Sequence, residues 1–194
     1  GVGFYMKLAK LLSRIKPFYE TTNIIETDIE ISGIAQDSRE VLPGNIYVAL
    51  VGDTYDGHTY IQDAVNKGAV AVVSDRELFD LNYPYIKVDD SRQSLAYLAA
   101  AFNDFPSRKL TVIGVTGTDG KTTTVNLIHE VLTVCGIKAG MISTVNAVIG
   151  NERIDTGFHV TTPESPKIQV LLKKMVESGL THVVIEATSH GLEQ

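Results

Sequence analysis

Tryptophan is absent from the 194 residues, and cysteine occurs once, at Cys135. One thiol excludes an internal disulfide and any cysteine-built metal centre, and it fits a reducing compartment. Cys135 falls in an apparent helix and reads there as a small buried apolar residue. Long apolar runs are missing as well. None approaches the roughly 20 residues a membrane-spanning helix needs. Near the N-terminus, Leu8, Leu11, Leu12 and Ile15 recur at helical spacing, but Lys7, Lys10 and Arg14 break the apolar core that a secretory leader requires. The expected location is therefore cytoplasmic. Positive charge is in deficit too: 17 Lys and Arg against 23 Asp and Glu leave a net charge of −6. No basic cluster stands out, which argues against DNA or RNA as a partner. A nucleotide stays open, because it needs only a local positive site.

The residues that are present alternate between strand and helix signals. "GNIYVAL" (44–50) reads as a strand after a Pro43-Gly44 turn, and "YIQDAVNKG" (60–68) as a short helix ended by Gly68. "AVAVVSD" (69–75) and "YIKVDD" (85–90) read as further strands. Asp90 or Ser91 then caps a helix with Gln93 nearby, and Leu95, Leu98, Ala99 and Phe102 form its apolar stripe. "NDFPSRK" (103–109) interrupts the pattern, so the expected domains are 1–106 and 107–194. In the second, "LTVIGV" (110–115) has the unbroken apolar run of a strand buried on both faces. A helix ended by Gly136, a strand at 138–144, a helix opening at "TTPES" and a last strand in "THVVIEATSHG" follow. In the "TTPES" helix, Ile168, Leu171, Leu172, Met175 and Val176 share one face, and Gly179 closes it. This alternation predicts an α/β chain. A small mixed domain comes first, then a doubly wound parallel sheet with helices on both faces.

"GVTGTDGKTTT" (114–124) joins the strand at 110–115 to the helix after it. A phosphate needs inward-pointing N–H groups, and a helix N-terminus supplies them with a favourable dipole. Glycines let the loop curl, a lysine reaches the phosphates, and a hydroxyl holds Mg²⁺. Gly117, Thr118, Asp119, Gly120, Lys121 and Thr122 supply these parts in order. The loop is a variant, since Val115 stands where the general pattern has its first glycine. Glu186 closes the apolar strand "HVVIEA", the strand end where ligands of such sheets bind, and is the candidate second magnesium ligand. His190, four residues on, could touch phosphate, metal or only backbone.

"TGTDGKTTT", "TTPES" and "EATSHGL" together resemble the Mur ligases of peptidoglycan synthesis, and "DSREVLPGNIYVALVGDTYDGHTYIQDAVNKGAVAVV" (37–73) is similar to their uridine-nucleotide-binding domain. The resemblance runs from about Ile34 to Gln194. Within the family it is nearest the branch that adds the third peptide residue. It implies a P-loop ATPase domain and a reaction in which ATP, with Mg²⁺, joins a diamino acid to UDP-N-acetylmuramoyl-L-alanyl-D-glutamate. The implied enzyme is a monomer without nucleic-acid or membrane partners. The resemblance also implies roles. Ser38, within Asp37-Ser38-Arg39, meets the uracil end. Thr161, Thr162, Thr188 and Gln194 contact the muramoyl-peptide. Gly117 to Thr123 hold ATP, with Lys121 as the catalytic cation, and Thr122 and Glu186 hold the metal.

Two residues depart from the family pattern, which usually has Asn at Asp119 and Ser at Thr188. The chain looks like the family's first domain plus the first half of its central ATPase domain, so it is expected to be inactive alone. The rivals are the dipeptide-adding branch, disfavoured by "TTPES"; an amino-acid polymer synthetase, disfavoured by the uridine-type domain; and a non-catalytic UDP-sugar-binding relic.

Overall fold

Short apolar strands separated by turns build the first sheet. The computed structural model describes residues 4–15, 19–20, 28–52, 55–78, 81–155 and 165–187. The chain divides into two units, Gly1–Phe102 and Asn103–Gln194. In the first, β1 (Met6–Lys7) leads into α1 (Leu8–Arg14), followed by β2 (Tyr19–Glu20), β3 (Glu30–Ile31), β4 (Gly33–Ala35), β5 (Asn45–Val48), α2 (Ile61–Asn66), β6 (Ala71–Ser74), β7 (Tyr85–Val88) and α3 (Ser91–Phe102). β1 pairs with β3 in a two-stranded ladder. The main sheet has the order β2-β7-β6-β5-β4, with β4 to β7 parallel and β2 antiparallel at the edge. Tyr47 and Ala49 face α2 through Ile61 and Ala64, while Ile46 and Val48 at the alternate positions are also fully buried. Burial on both faces is what a parallel sheet requires. Asp90 caps α3 by accepting from the Gln93 N–H at 2.8 Å, and the stripe Leu95, Leu98, Ala99 and Phe102 is buried, as the spacing predicts.

The second unit runs β8 (Thr111–Val115), α4 (Lys121–Val134), β9 (Ala139–Ile142), β10 (Asn146–Ile149), β11 (Glu152–Asp155), α5 (Ser165–Glu177) and β12 (His182–Glu186). The sheet order is β11-β10-β9-β12-β8, so β12 inserts between β9 and β8 and is parallel to both. Strand alternation sorts the side chains. Val183 and Ile185 join Leu171, Leu172 and Met175 of α5 on one face; Val184 and Met141 join Val125 of α4 on the other. The helices therefore cover opposite faces, as doubly wound topology predicts. Fully burying an aliphatic side chain contributes about 1.5–3 kcal/mol. With Leu171, Leu172 and Met175 buried, α5 is anchored more strongly than α4, which buries only Val125.

Three expectations change. β8 is not buried on both faces. It is the edge strand, paired with β12 alone among the described residues, and Val112 is 44% exposed. An apolar run marks the strand but not what covers it. Cys135 is exposed at the end of α4 rather than buried. It is the C-cap of α4, at the exposed end of the helix. Leu127, Val131 and Val134 point outward likewise. The sheet is also mixed rather than all parallel, because β9, β10 and β11 form an antiparallel meander. Its Gly150-Asn151 turn between alternating residues is a readable hairpin signal. The "TTPES" cap lies outside the described residues.

Candidate functional site

β8 ends at Val115, and α4 begins at Lys121. The loop between them turns on two glycines in conformations that side chains resist: Gly117 at φ +149° and Gly120, which caps α4, at φ +73°. Thr124 donates both its N–H and its hydroxyl to the Gly120 carbonyl, each at 2.9 Å, fixing the first turn. The N–H groups of Lys121, Thr122 and Thr123 have no intrahelical acceptor and face the loop end of the helix. Lys121 folds back over this mouth, its Nζ donating to the carbonyls of Gly117 at 2.7 Å and Thr118 at 3.3 Å. An ammonium is thus held where an anion at the helix N-terminus would meet it. Thr118, Asp119 and Thr123 are exposed around it. Asp119 adds one formal negative charge.

Glu186 comes to the same mouth because of register. It shares the α4 face of β12 with Val184, two residues back, and pairs directly beside Val115. The residue is only 5% exposed. Its Oε2 accepts from the Thr122 hydroxyl at 3.0 Å and from the Thr144 N–H at 3.3 Å. Among the described residues it has no cationic partner, and a buried carboxylate without one favours binding a cation. The hydrogen bond between Thr122 and Glu186 sets their spacing, which is also compatible with magnesium. Octahedral Mg²⁺ with oxygens at about 2.0–2.1 Å sets adjacent ligands roughly 2.9 Å apart. Thr122 Oγ1 and Glu186 Oε2, both hard oxygen donors, stand at 3.0 Å.

In the first unit Ser38 follows β4 at the carboxyl edge of the sheet and is itself buried, 7% exposed. Arg39 clamps Asp37, its Nε donating to both carboxylate oxygens at 3.0 Å and its terminal nitrogen to one at 2.6 Å. These bonds hold the Asp37 carboxyl below its ordinary range. Lys67 donates to the Ser38 carbonyl at 3.0 Å, closing the turn from α2. Thr161, Thr162, Thr188, His190 and Gln194 lie outside the described residues.

A second cluster in this unit went unread in the sequence. His58 Nδ1 meets Asp56 at 2.6 Å and Nε2 meets the Ser74 hydroxyl at 2.6 Å, the connectivity of a Ser-His-Asp relay. Ser74 is fully buried and also accepts from the Arg76 N–H, so no substrate reaches it. The cluster is a brace. It ties the turn at Gly57–Tyr60 to the end of β6, and Arg76 completes it on Asp56 at 2.7 Å. The backbone and ring N–H groups of His58 pull the Asp56 carboxyl down to about 2.

Comparison with known proteins gives concordant matches in both units. The pattern described as "Mur ligase family, catalytic domain" matches residues 30–103, and "Mur ligase middle domain" matches 115–194. The chain is 42% identical over 190 residues to a Chlorobium phaeobacteroides protein named UDP-N-acetylmuramoyl-L-alanyl-D-glutamate–2,6-diaminopimelate ligase, covering 96% of this chain and 36% of that one. It is 46% identical over 165 residues to a Treponema pallidum UDP-N-acetylmuramyl-tripeptide synthetase, covering 84% and 31%. The chain thus spans about a third of the length of these curated relatives. Among solved structures, a 2,6-diaminopimelate-adding ligase matches with a TM-score of 0.75 at 24% identity, over 98% of this chain and 37% of that one. The MurF ligase of Thermotoga maritima in complex with ADP matches at 0.55 and 26%, over 81% and 32%. Two matching patterns in the right order, and relatives above 40% identity along nearly all of its length, place this chain in the Mur ligase family, with that family's N-terminal domain in the first unit and its middle domain in the second.

Proposed function

We propose that this chain is the nucleotide-binding part of an ATP-dependent amide ligase. The ligase adds a diamino acid, as the third residue, to UDP-N-acetylmuramoyl-L-alanyl-D-glutamate in peptidoglycan precursor synthesis. The observation that carries the reading is the meeting of the Gly117–Thr123 loop with Glu186: Thr122 and Glu186 stand 3.0 Å apart, and the Lys121 ammonium is held by carbonyls of the same loop. The names of the relatives supply the substrate.

A carboxylate is a poor electrophile, and ATP, when bound with Mg²⁺, supplies its activation as an acyl phosphate. Little covalent chemistry is left to the protein. Its work is positioning and charge neutralisation. The N–H groups of the loop and of the first turn of α4 cradle the phosphates. Lys121 gives up the Gly117 and Thr118 carbonyls and turns its ammonium to the phosphate oxygens. Thr122 and Glu186 hold the metal. In the first unit Ser38 meets the uracil end of the substrate, from the turn that carries the Asp37–Arg39 pair. Thr161, Thr162, Thr188 and Gln194 are assigned to the muramoyl-peptide. The reading carries with it a cytoplasmic monomer that acts on small molecules, with no nucleic-acid or membrane partner. Among the described residues no helix is long and apolar enough to cross a membrane.

Calorimetric titration tests the proposal. The chain is expected to bind UDP-N-acetylmuramoyl-L-alanyl-D-glutamate, and to bind Mg-ATP separately. Absence of binding to the UDP-linked dipeptide, with Mg-ATP still bound, would refute the substrate assignment.

A further inference from the structure

We infer that Ser143 is a positioning residue for the metal carboxylate: its hydroxyl shapes the β9–β10 turn so that the Thr144 N–H holds Glu186 in place. The inference rests on the metal-binding reading above and adds a residue that no loop motif contains. Ser143 follows β9 and is buried, 1% exposed. Its hydroxyl uses its full capacity of one donor and two acceptor lone pairs. It donates to the Asn146 carbonyl at 3.0 Å and accepts from the N–H groups of Asn146 at 3.1 Å and Val145 at 3.3 Å. The Ser143 N–H donates to the same Asn146 carbonyl at 2.8 Å. One hydroxyl therefore closes the whole turn from inside.

The turn is aimed by strand register. β12 pairs with β9 as far as Ile185 opposite Ile142, so the next residues, Glu186 and Ser143, are neighbours at the carboxyl edge. Ser143 lies two residues past Met141 and shares its α4-facing side. The Thr144 N–H then reaches Glu186 Oε2 at 3.3 Å, beside the Thr122 hydroxyl at 3.0 Å. These two donors differ in what a metal does to them. A Thr122 oxygen that ligates Mg²⁺ turns a lone pair to the ion and its proton elsewhere. A backbone N–H cannot be recruited in this way. It remains the fixed donor that keeps the carboxylate pointed at the site. Groups that orient a metal ligand typically change metal affinity 10- to 100-fold when lost.

The test uses Mn²⁺ as a paramagnetic stand-in for Mg²⁺, titrated by EPR into the chain with ATP present. ATP binding in EDTA is measured alongside. Ser143→Ala should weaken Mn²⁺ about tenfold or more while metal-free ATP affinity holds, and Ser143→Thr, which keeps the hydroxyl, should restore it. Glu186→Gln is the control on the underlying reading. If it binds Mn²⁺ as the parent does, the metal assignment fails and this inference with it. If Glu186→Gln loses Mn²⁺ but Ser143→Ala does not, the metal assignment stands and the role of Ser143 is refuted. A parallel loss of metal-free ATP affinity in Ser143→Ala also refutes it, since general disruption would then explain the effect. Should Ser143→Ala not fold, the Thr144 amide resonance decides. Glu186→Gln should shift it, and an unmoved resonance overturns the inference.

Discussion

Replacing Lys121 with alanine should separate nucleotide binding from folding. Among the described residues the Lys121 ammonium donates to the Gly117 and Thr118 carbonyls, on an exposed loop where water can take its place. Exposed substitutions of this kind change stability by no more than about 0.5 kcal/mol. For a domain of 60–100 residues this is a melting shift under roughly 4 °C. The cost to Mg-ATP binding is larger. Two hydrogen bonds from an ammonium to phosphate oxygens contribute about 1.5–3 kcal/mol each, or roughly 3–6 kcal/mol together. The two carbonyl contacts given up on binding offset no more than the same figure of about 0.5 kcal/mol. The net, about 2.5–5.5 kcal/mol, corresponds to roughly 60- to 8,000-fold in Kd. Calorimetry with Mg-ATP and a thermal melt of the same samples measure both numbers. A melting drop of more than about 5 °C with an unchanged Kd would refute the reasoning, because Lys121 would then be a structural residue.

The brace in the first unit yields two further predictions. His58→Ala leaves Asp56 and the buried Ser74 hydroxyl without their shared partner and opens a void. It should cost about 2–4 kcal/mol, read as a lower urea midpoint, and an unchanged midpoint would show the brace is idle. Asp56 has a folded pKa of about 2 against an ordinary 3.8. Its contribution is thus fully present above pH 4 and lost as pH falls towards 2. The stability gap between the parent and Asp56→Asn should accordingly shrink over that window in acid-unfolding curves, and a constant gap would contradict the assignment. In the second unit, Leu172→Ala empties a site against Ile142 and Val183 and should cost about 2–5 kcal/mol by denaturant melt. A cost below 1 kcal/mol would mean that α5 is not anchored there.

Periodicity and end signals carried most of the fold. The apolar stripe of α3, its Asp90 cap, the strand at Asn45–Val48, and the left-handed Gly136 and Gly179 after α4 and α5 all follow from local chemistry. Coverage was the illegible part. "LTVIGV" says that a strand forms, yet Val112 is open because β8 lies at an edge, and edge position is a property of the whole sheet. Cys135 misled for a related reason. It shares the side of Ile128, seven residues back, but as the C-cap it stands at the helix end, where Val134 is exposed too.

The site divides along the same line. The glycines, Lys121 and Thr122 are contiguous, so the loop between β8 and α4 that they form is set by short-range geometry and readable from their spacing. Glu186 could be guessed only as the end of an apolar strand. What brings it to Thr122 is the insertion of β12 between β9 and β8, which sets it beside Val115 and on the face of Val184. A slip of one residue in that parallel register would turn Glu186 to the α5 side and Ile185 to the loop. The separation of 3.0 Å between Thr122 and Glu186 is therefore as much a statement about Val183 and Val184, which lock the register from opposite faces, as about the two oxygens. Ser143 and His58 belong to the same class. Nothing in "MISTVN" or "YDGHTY" marks them, because their partners are Glu186, by way of the Thr144 N–H, and Ser74, which only the folded sheets bring near.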